Sequence, residues 1–241
     1  MKNYYLPVLL LLFLPSVLLA EVLKLDYEGF TVWLDCDKRG AVKFKYNATR
    51  DTGNHKRYKS FYLDKNVPKR CQQKSTRSYR RAKGDKPSYD RGHLVPANHL
   101  DYDKVSIKQS NFMTNILPQV SAMNRGAWLL TEEITECYRD EIDLTVIGGV
   151  LWGNDTSDDY FAKSHGVKTP DAYWKVIKNQ EGVIAWIIPN SPKAKRSNLD
   201  RYLVSVRELE RRVGEKLPVR GDWKLLKSSR SWPIAKSCDK S

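Results

Sequence analysis

A short motif, Asp90-Arg91-Gly92-His93, places a base and an arginine two residues apart. In an extended segment, side chains two residues apart lie on one face, so Arg91 and His93 would face the same ligand. An imidazole can accept a proton from water, and a guanidinium can neutralise charge on a phosphoryl oxygen. Gly92 between them would let a substrate backbone approach closely. These residue types suit the hydrolysis of a phosphodiester bond.

Neutral amides and one acid follow the motif. Asn115 and Gln119 precede a predicted helix, Asn124 lies near its start, and Glu132 lies on the same helix. Amide oxygens and water suit Mg²⁺, which keeps much of its hydration shell in proteins. Asn124 and Glu132 would be about 12 Å apart along the axis, too far for both to coordinate one ion. Because helical side chains lean toward the N-terminus, Glu132 could still reach metal-bound water.

The chain is strongly basic, since 42 Lys and Arg residues against 28 Asp and Glu give a formal net charge of +14. This balance favours a polyanionic partner such as nucleic acid, anionic lipid or acidic polysaccharide, although a positive surface can also serve solubility alone. The cations are concentrated between Lys65 and Lys86, just before the motif, and include Arg77, Arg80 and Arg81. Their distribution predicts a surface that binds phosphates.

The ordered set of motifs resembles the DNA/RNA non-specific endonuclease family, whose members include secreted bacterial nucleases and mitochondrial endonuclease G. The matching segments are residues 90–97, 115–119, 124–128 with Glu132, 145–148 and 170–176. The resemblance runs from about residue 90 to residue 188. It implies a ββα-metal finger that carries the active site, and metal-dependent cleavage of DNA and RNA to products with 5′-phosphates.

The resemblance also implies roles for individual residues. His93 would be the general base that takes a proton from the attacking water, and Arg91 would contact the substrate phosphate. Asn124 would be the only direct protein ligand of one Mg²⁺, for which Mn²⁺ could substitute, and Glu132 would hold metal-bound water. The implied supporting residues are Asp90, which would orient the turn, Asn115 and Gln119.

Two arginine positions depart from the family pattern. The family carries an arginine one helical turn after the glutamate, where this chain has Glu136, so Arg125 or Arg139 could supply that charge. The family also uses an upstream arginine on the phosphate, and the candidates for it are Arg77, Arg80 and Arg81. Three histidines have no matching role and are interpreted as ordinary surface or structural residues: His55, His99 and His165.

Three functions are compatible with these observations. Contacts confined to phosphate and metal carry no base or sugar information, so a non-specific endonuclease acting on DNA and RNA is the leading hypothesis. The alternative is a non-catalytic nucleic-acid or polyanion binder on a decayed nuclease scaffold, for which Glu136 is the only support. A nuclease toxin restrained by a protein inhibitor ranks third. The oligomeric state stays open.

Alternating and β-branched runs predict strands at residues 30–34, 41–46, 59–63, 112–117, 144–150, 173–177 and 183–188. Helical spacing predicts a helix over residues 122–139, with Ser121 as its N-cap, and a second over residues 204–213. Strands outnumber helices, which favours an α+β fold with a mostly antiparallel sheet and packed helices.

The N-terminus has the features of a secretory signal peptide over residues 1–20: a short basic start, an apolar run and a small residue, Ala20, at the expected cleavage point. An uncleaved anchor is the alternative. Residues 21–241 would then form a single soluble nuclease domain that is secreted or periplasmic, with no membrane partner.

An even set of four cysteines in an exported protein predicts two disulfides. Three pairings are possible. The favoured one joins Cys36 to Cys71, closing a short loop, and Cys137 to Cys238, which would pin the C-terminal tail.

Overall fold

A six-stranded antiparallel sheet forms the centre of the protein, with strand order β1-β2-β3-β6-β7-β8. The computed structural model describes residues 21–239, so the predicted signal peptide over residues 1–20 lies outside the described residues. The strands of this sheet are β1 (Val22–Tyr27), β2 (Phe30–Asp35), β3 (Gly40–Ala48), β6 (Leu144–Leu151), β7 (Ala172–Lys178) and β8 (Val183–Pro189).

A two-stranded hairpin lies apart from the main sheet and carries the Asp90–His93 motif. It consists of β4 (Tyr89–His93) and β5 (Ile116–Val120), paired antiparallel with His93 opposite Ile116. The segment between the two strands holds a 3₁₀ turn (Ala97–Leu100), the helix α1 (Lys104–Gln109) and a second 3₁₀ turn (Met113–Asn115).

One long helix follows directly after the hairpin. It begins as α2 (Ser121–Met123), continues as a π-helical turn (Asn124–Trp128) and ends as α3 (Leu129–Arg139). Trp128 packs edge-on against Phe44 of β3 and Tyr173 of β7, with ring centroids 6.4 and 5.5 Å away. These contacts fix the helix on one face of the sheet.

The opposite face of the sheet is covered by α4 (Val206–Val213). Val206 and Leu209 of this helix pack in one buried cluster with Trp174 and Val176 of β7. Two further 3₁₀ turns, Arg196–Tyr202 and Trp223–Leu225, flank α4 in the chain. The sheet therefore lies between two layers, and α4 is on the side away from the hairpin and the long helix.

The predicted α+β class with a mostly antiparallel sheet is confirmed, and five of the seven predicted strands match β2, β3, β6, β7 and β8. The segment 59–63 makes only one isolated bridge, at Tyr62. The carbonyls of Tyr58 and Ser60 instead accept hydrogen bonds from the Asn111 side chain. The strand predicted from residue 112 begins at Ile116, because a 3₁₀ turn precedes it.

Both predicted helices are present with shifted starts. The first begins at Ser121, which is not a cap, because its hydroxyl donates to Asp90 Oδ1 at 2.9 Å. The second begins at Val206, and Ser205 caps it by accepting from the Glu208 N–H. Val204 lies outside this helix because its N–H bonds to the Ala185 carbonyl of β8.

The two disulfides join the favoured cysteine pairs, Cys36–Cys71 and Cys137–Cys238. The first is buried in a small cluster with Leu34 and Val67, and the second ties the end of α3 to the C-terminal tail. Among residues 21–239, no helix is both long enough and apolar enough to cross a bilayer.

Candidate active site

A cavity of about 380 Å³ lies between the end of β4 and the start of the long helix. It brings together side chains that are far apart in the chain, and the polar ones that concern the chemistry are Arg57, Arg91, His93, Asn124 and Glu132. The sequence predicted four of these five for one site. The fifth, Arg57, was not among the predicted arginines.

The imidazole of His93 is held in one tautomer by Asn111. The Asn111 amide nitrogen donates to the carbonyls of Tyr58 at 2.8 Å and Ser60 at 2.9 Å, so its oxygen faces the ring. His93 Nε2 therefore carries a proton and donates it to Asn111 Oδ1 at 2.8 Å. Nδ1 is left without a proton and accepts a hydrogen bond from the Arg57 guanidinium at 3.3 Å.

The surroundings of His93 keep its ring neutral. Burial lowers the pKa of His93 to about 3, and the charge of Arg57 acts in the same direction, while the hydrogen bond to Asn111 opposes them. The backbone carbonyl of His93 accepts from Trp128 Nε1 at 3.1 Å and from Gln119 Nε2 at 3.4 Å. The residue is thus fixed through both its ring and its backbone.

Asp90 orients the first turns of the long helix. Its carboxylate accepts from Ser121, from Asn124 Nδ2 at 2.9 Å, and from two nitrogens of Arg125 at 2.7 and 2.8 Å. Burial alone would raise the pKa of Asp90, but these hydrogen bonds outweigh it and leave that pKa below its usual value. Because the Asn124 nitrogen faces the carboxylate, the Asn124 amide oxygen points elsewhere and accepts no hydrogen bond from a side chain within residues 21–239.

Glu132 lines the same cavity and lies about two helical turns after Asn124. Burial raises the pKa of its carboxyl to about 7, against the opposing charges of Lys175 and Arg57. Lys175 is fully buried, donates to Thr131 Oγ1 at 2.8 Å and lies 3.8 Å from the Trp128 ring centroid. Burial also lowers the pKa of Lys175 to about 8. The sequence did not single out this lysine.

The predicted supporting amides are buried beneath the site. Asn115 bonds to both backbone groups of Val95 and to the Ser110 carbonyl, which holds the turn after His93. Gln119 packs against Gly92, and a Cβ placed on Gly92 would be 2.2 Å from the Gln119 amide carbon. The interpretation of Gly92 as an opening for substrate is therefore wrong, because the Gln119 side chain fills that space.

The predicted arginines separate into three groups. Arg91 borders the cavity, lies over the Phe61 ring with its guanidinium carbon 3.9 Å from the centroid, and donates to the Thr76 carbonyl at 2.8 Å. Arg125 lies at the cavity and is paired with Asp90. Arg77 and Arg80 line a neighbouring, larger cavity that shares Arg91 with the first.

Two arginine candidates do not face either cavity. Arg81 packs on the Tyr160 ring and pairs with Asp85, so the proposal that it contacts the reacting phosphate is wrong. Arg139 cannot replace the family arginine, because it is 2% exposed and its guanidinium is paired with Glu136 and Asp51.

Glu136 is part of the same buried network as Arg139. Its carboxylate also accepts from Asn98 Nδ2 at 3.1 Å and lies 3.0 Å from His99 Nε2. It does not line either of the two cavities as the described residues form them. The positively charged residue that faces His93 is Arg57, 36 positions before it. Apart from the basic composition of the chain, no sequence signal pointed to Arg57.

The remaining histidines are in three different environments. His99 is buried between Tyr46 and Glu136, as expected of a structural residue. His165 is also buried but lines the larger cavity, with Nε2 3.0 Å from the Arg77 carbonyl. His55 lines the 380 Å³ cavity, and its interpretation as an ordinary surface or structural residue stays a prediction.

The donor set fits a hard divalent cation. The Asn124 amide oxygen and the Glu132 carboxylate are oxygen donors at one cavity, which Mg²⁺ prefers to nitrogen or sulfur. Among the described residues, the one cluster of acids and cysteines close enough to hold a metal contains Cys36 and Cys71, which are joined in a disulfide. That cluster is therefore not a competing site.

The chain is similar in sequence to several known nucleases. A nuclease of Serratia marcescens is 32% identical over 139 residues, covering 52% of this chain and 49% of that protein. Mitochondrial nuclease EXOG of Danio rerio is 28% identical over 147 residues, covering 54% and 42%. Human mitochondrial endonuclease G is 26% identical over 140 residues, covering 52% and 47%. The chain thus spans about half the length of these relatives.

A solved structure of an EndoG/EndoGI complex shares the fold with a TM-score of 0.65 at 19% identity, covering 80% of this chain and 84% of that chain. The profile described as DNA/RNA non-specific endonuclease matches residues 19–219, most of the chain. This protein belongs to the DNA/RNA non-specific endonuclease family.

Proposed function

We propose that the protein is a Mg²⁺-dependent endonuclease that hydrolyses phosphodiester bonds of DNA and RNA to 5′-phosphate products. One observation carries the proposal. His93 and Asn124 line the same cavity, and each side chain is oriented by a hydrogen bond that leaves one acceptor, His93 Nδ1 or the Asn124 amide oxygen, on its other side.

His93 acts as the general base through Nδ1. Asn111 keeps the proton on Nε2, so Nδ1 can accept from a water molecule without a change of tautomer once that water takes the place of the Arg57 hydrogen bond. In the free protein Arg57 disfavours the protonated ring. A substrate phosphate placed between Arg57 and Arg91 would offset that positive charge, so the basicity of His93 rises when substrate is bound.

Asn124 would hold the metal ion directly, and Glu132 would hold it through water. When bound, Mg²⁺ or its substitute Mn²⁺ neutralises charge on the phosphoryl oxygens and on the 3′ oxygen that leaves. Asp90 serves this arrangement by turning the Asn124 amide so that its oxygen, rather than its nitrogen, is available.

The lining of the cavity supports cleavage without base specificity. The described residues around it include arginines and amides but no Phe, Tyr or Trp on which a base could stack. Contacts to phosphate position a nucleic acid without reading its sequence.

The two disulfides favour an oxidising compartment, and we propose a secreted or periplasmic protein. The solved EndoG structure that shares this fold is a complex in which EndoG is inhibited, and we propose a protein inhibitor as a partner here.

The alternative function, a polyanion binder on a decayed scaffold, depended on Glu136. Its carboxylate is bonded to Arg139, Asn98 and His99 in a buried network. The charge reversal at this position is therefore balanced locally and is not directed at the cavity. With Arg57 present in the cavity, the observations favour the enzyme.

The test is to incubate the full chain with supercoiled plasmid and with RNA, in Mg²⁺ and in EDTA. We expect both substrates to be cut only with metal. His93→Ala should lower kcat by about 10²–10⁴-fold, the usual contribution of a general base, while DNA binding is retained. Asn124→Ala should lose activity, and Asn154→Ala, in an exposed loop, is the matched control. Equal cutting in EDTA, or wild-type kcat in His93→Ala, would contradict the proposal.

A further inference from the structure

The larger cavity beside the candidate active site has a volume of about 890 Å³ and a cationic lining. Lys74, Arg77, Arg80 and Arg91 line it, together with His165 and small hydroxyl residues. None of the described residues that line it is acidic. Its volume is within the range of about 300–1,000 Å³ that is typical of ligand sites.

Three cations of this cavity have no acidic partner in the part of the chain that the structure describes. Lys74, Arg77 and Arg80 form none of the ion pairs found among residues 21–239. Each of these side chains is exposed. Like charges repel, so several unpaired cations around one cavity favour a ligand that carries several negative charges.

The backbone that carries these cations is held in place. The Lys74 N–H donates to the His165 carbonyl at 2.8 Å, and His165 Nε2 donates to the Arg77 carbonyl at 3.0 Å. The His165 ring packs on Tyr79 with centroids 4.7 Å apart. Arg91 donates to the Thr76 carbonyl between them. The segment that carries Lys74 and Arg77 is therefore bonded to Arg91, which also lines the candidate active site.

Arg91 joins the two cavities because its side chain lines both. A phosphate bound near Arg91 and His93 would be followed along the same nucleic-acid strand by further phosphates. The cationic cavity lies next to Arg91, and its positive charge is opposite to the negative charge of those phosphates. Its lining also has no exposed aromatic side chain among the described residues, so it offers contacts to the backbone and not to stacked bases.

We propose that the cavity lined by Lys74, Arg77, Arg80 and Arg91 binds the phosphates of the substrate strand next to the bond that is cut. The inference rests on the proposed nuclease function. It makes substrate length a determinant of cleavage, because a dinucleotide has no phosphate to place there, whereas a longer strand does.

The first experiment compares cleavage of a dinucleotide with that of a single strand of about 12 nucleotides, a length typical of single-strand sites. For Arg77→Gln/Arg80→Gln, the ratio of kcat/KM on the long substrate to that on the dinucleotide should fall about tenfold, mainly through KM on the long substrate. The matched control is Arg211→Gln/Arg212→Gln, the same charge change at two exposed residues of α4 on the opposite face of the sheet. An unchanged ratio, or an equal fall in the control, would overturn the proposal.

The second experiment measures binding, so that the site can fail or succeed separately from the nuclease activity. In a His93→Ala background with Mg²⁺, anisotropy of the labelled strand is followed across salt concentrations. Loss of the two arginines should reduce the slope of log K against log salt by about 1 for each. If the arginine variant has a reduced slope but the wild-type protein does not cleave, only the nuclease proposal is contradicted. Normal cleavage with an unchanged slope would sink the cavity proposal alone.

Free inorganic phosphate is the other source of the same anionic chemistry. If the cavity is an anion site unrelated to the substrate strand, inorganic phosphate should change the cleavage of dinucleotide and long strand equally, and Arg77→Gln/Arg80→Gln should abolish that effect. This result would overturn the substrate-strand assignment. Competition by phosphate restricted to the long substrate would support it.

Discussion

At the scale of single residues, the candidate base depends on an amide that the motif does not contain. Asn111 is fully buried and uses all three of its hydrogen-bonding groups, two on carbonyls and one on His93 Nε2. Buried amides with this many partners have one orientation, because the reverse one would place the amide nitrogen against the protonated Nε2. Asn111 is thus a positioning residue.

Asn111→Ala should lower kcat by about 10–100-fold, as is usual when a residue that orients a functional histidine is removed. The ring can then exchange tautomers, and the fraction with a free Nδ1 falls. The measurements are kcat and the ¹⁵N chemical shifts of the His93 ring, because a purely structural role would lower stability without changing the tautomer. A variant that keeps the protonated Nε2 and the wild-type kcat would contradict the assignment.

Sequence motifs identified only those site residues that belong to a short, specific pattern. Residues 90–97 and 124–128 could be recognised in sequence because their order and spacing are specific. Arg57 and Asn111 belong to loops, at 36 and 18 positions from His93, and only the folded chain brings them to the ring. The substitution at Glu136 looked like a defect in sequence, and the structure balances it with buried partners.

At the scale of elements, the Gln119 side chain of β5 packs against Gly92 of β4 and fills the space beside it. The two residues lie on facing strands, where a side chain on one strand reaches across to the other. Gly92 is needed here because any larger residue would overlap with the glutamine.

Gly92→Ala should lower the free energy of unfolding by about 1–3 kcal/mol, the usual cost of overpacking. Urea denaturation of Gly92→Ala, Gln119→Ala and the double variant measures the coupling, and the double variant should be less destabilised than the sum of the two. Gly182→Ala is the matched control, because a Cβ there meets no atom within 4 Å. Strict additivity would show that the overlap is not the cause.

Elements were predictable where their pattern is set by the sheet. The buried strands of the main sheet have alternating or continuous apolar residues, and these identify β2, β3, β6, β7 and β8. The segment at 59–63 has a similar pattern, but a side chain from residue 111 takes the carbonyl hydrogen bonds that a neighbouring strand would need. β1, an edge strand that is half-exposed along its length, was not predicted.

At the scale of the whole molecule, stability should depend on pH through buried histidines. Burial lowers the pKa of His93 to about 3 and also lowers those of His99 and His165. The unfolded chain takes up protons at these rings near pH 6.5, while the folded protein takes them up at lower pH. Stability from these groups is therefore present above that pH and is lost as pH falls. The raised pKa of Glu132 acts in the opposite direction between its ordinary value and about 7.

His93→Gln should flatten the dependence of the unfolding free energy on pH between about 6 and 4, by up to about 1.4 kcal/mol for each pH unit. The sign follows because only the unfolded state binds the extra proton in this interval. Chemical denaturation at a series of pH values in EDTA provides the measurement, with His55→Gln as the control. A slope equal to that of the wild type would show that the buried ring is not the cause.

The bond between Cys137 and Cys238 holds residue 238 against the end of the long helix. Cys137 lies thirteen positions after Asn124 on the long helix, so about 20 Å of helix separates it from the candidate metal ligand. Cys238 is consequently held near the end of the helix that is far from this ligand. A bead, dye or surface linker attached near Cys238 would be separated from the candidate metal ligand by this length of helix, and reduction of the bond would remove that constraint.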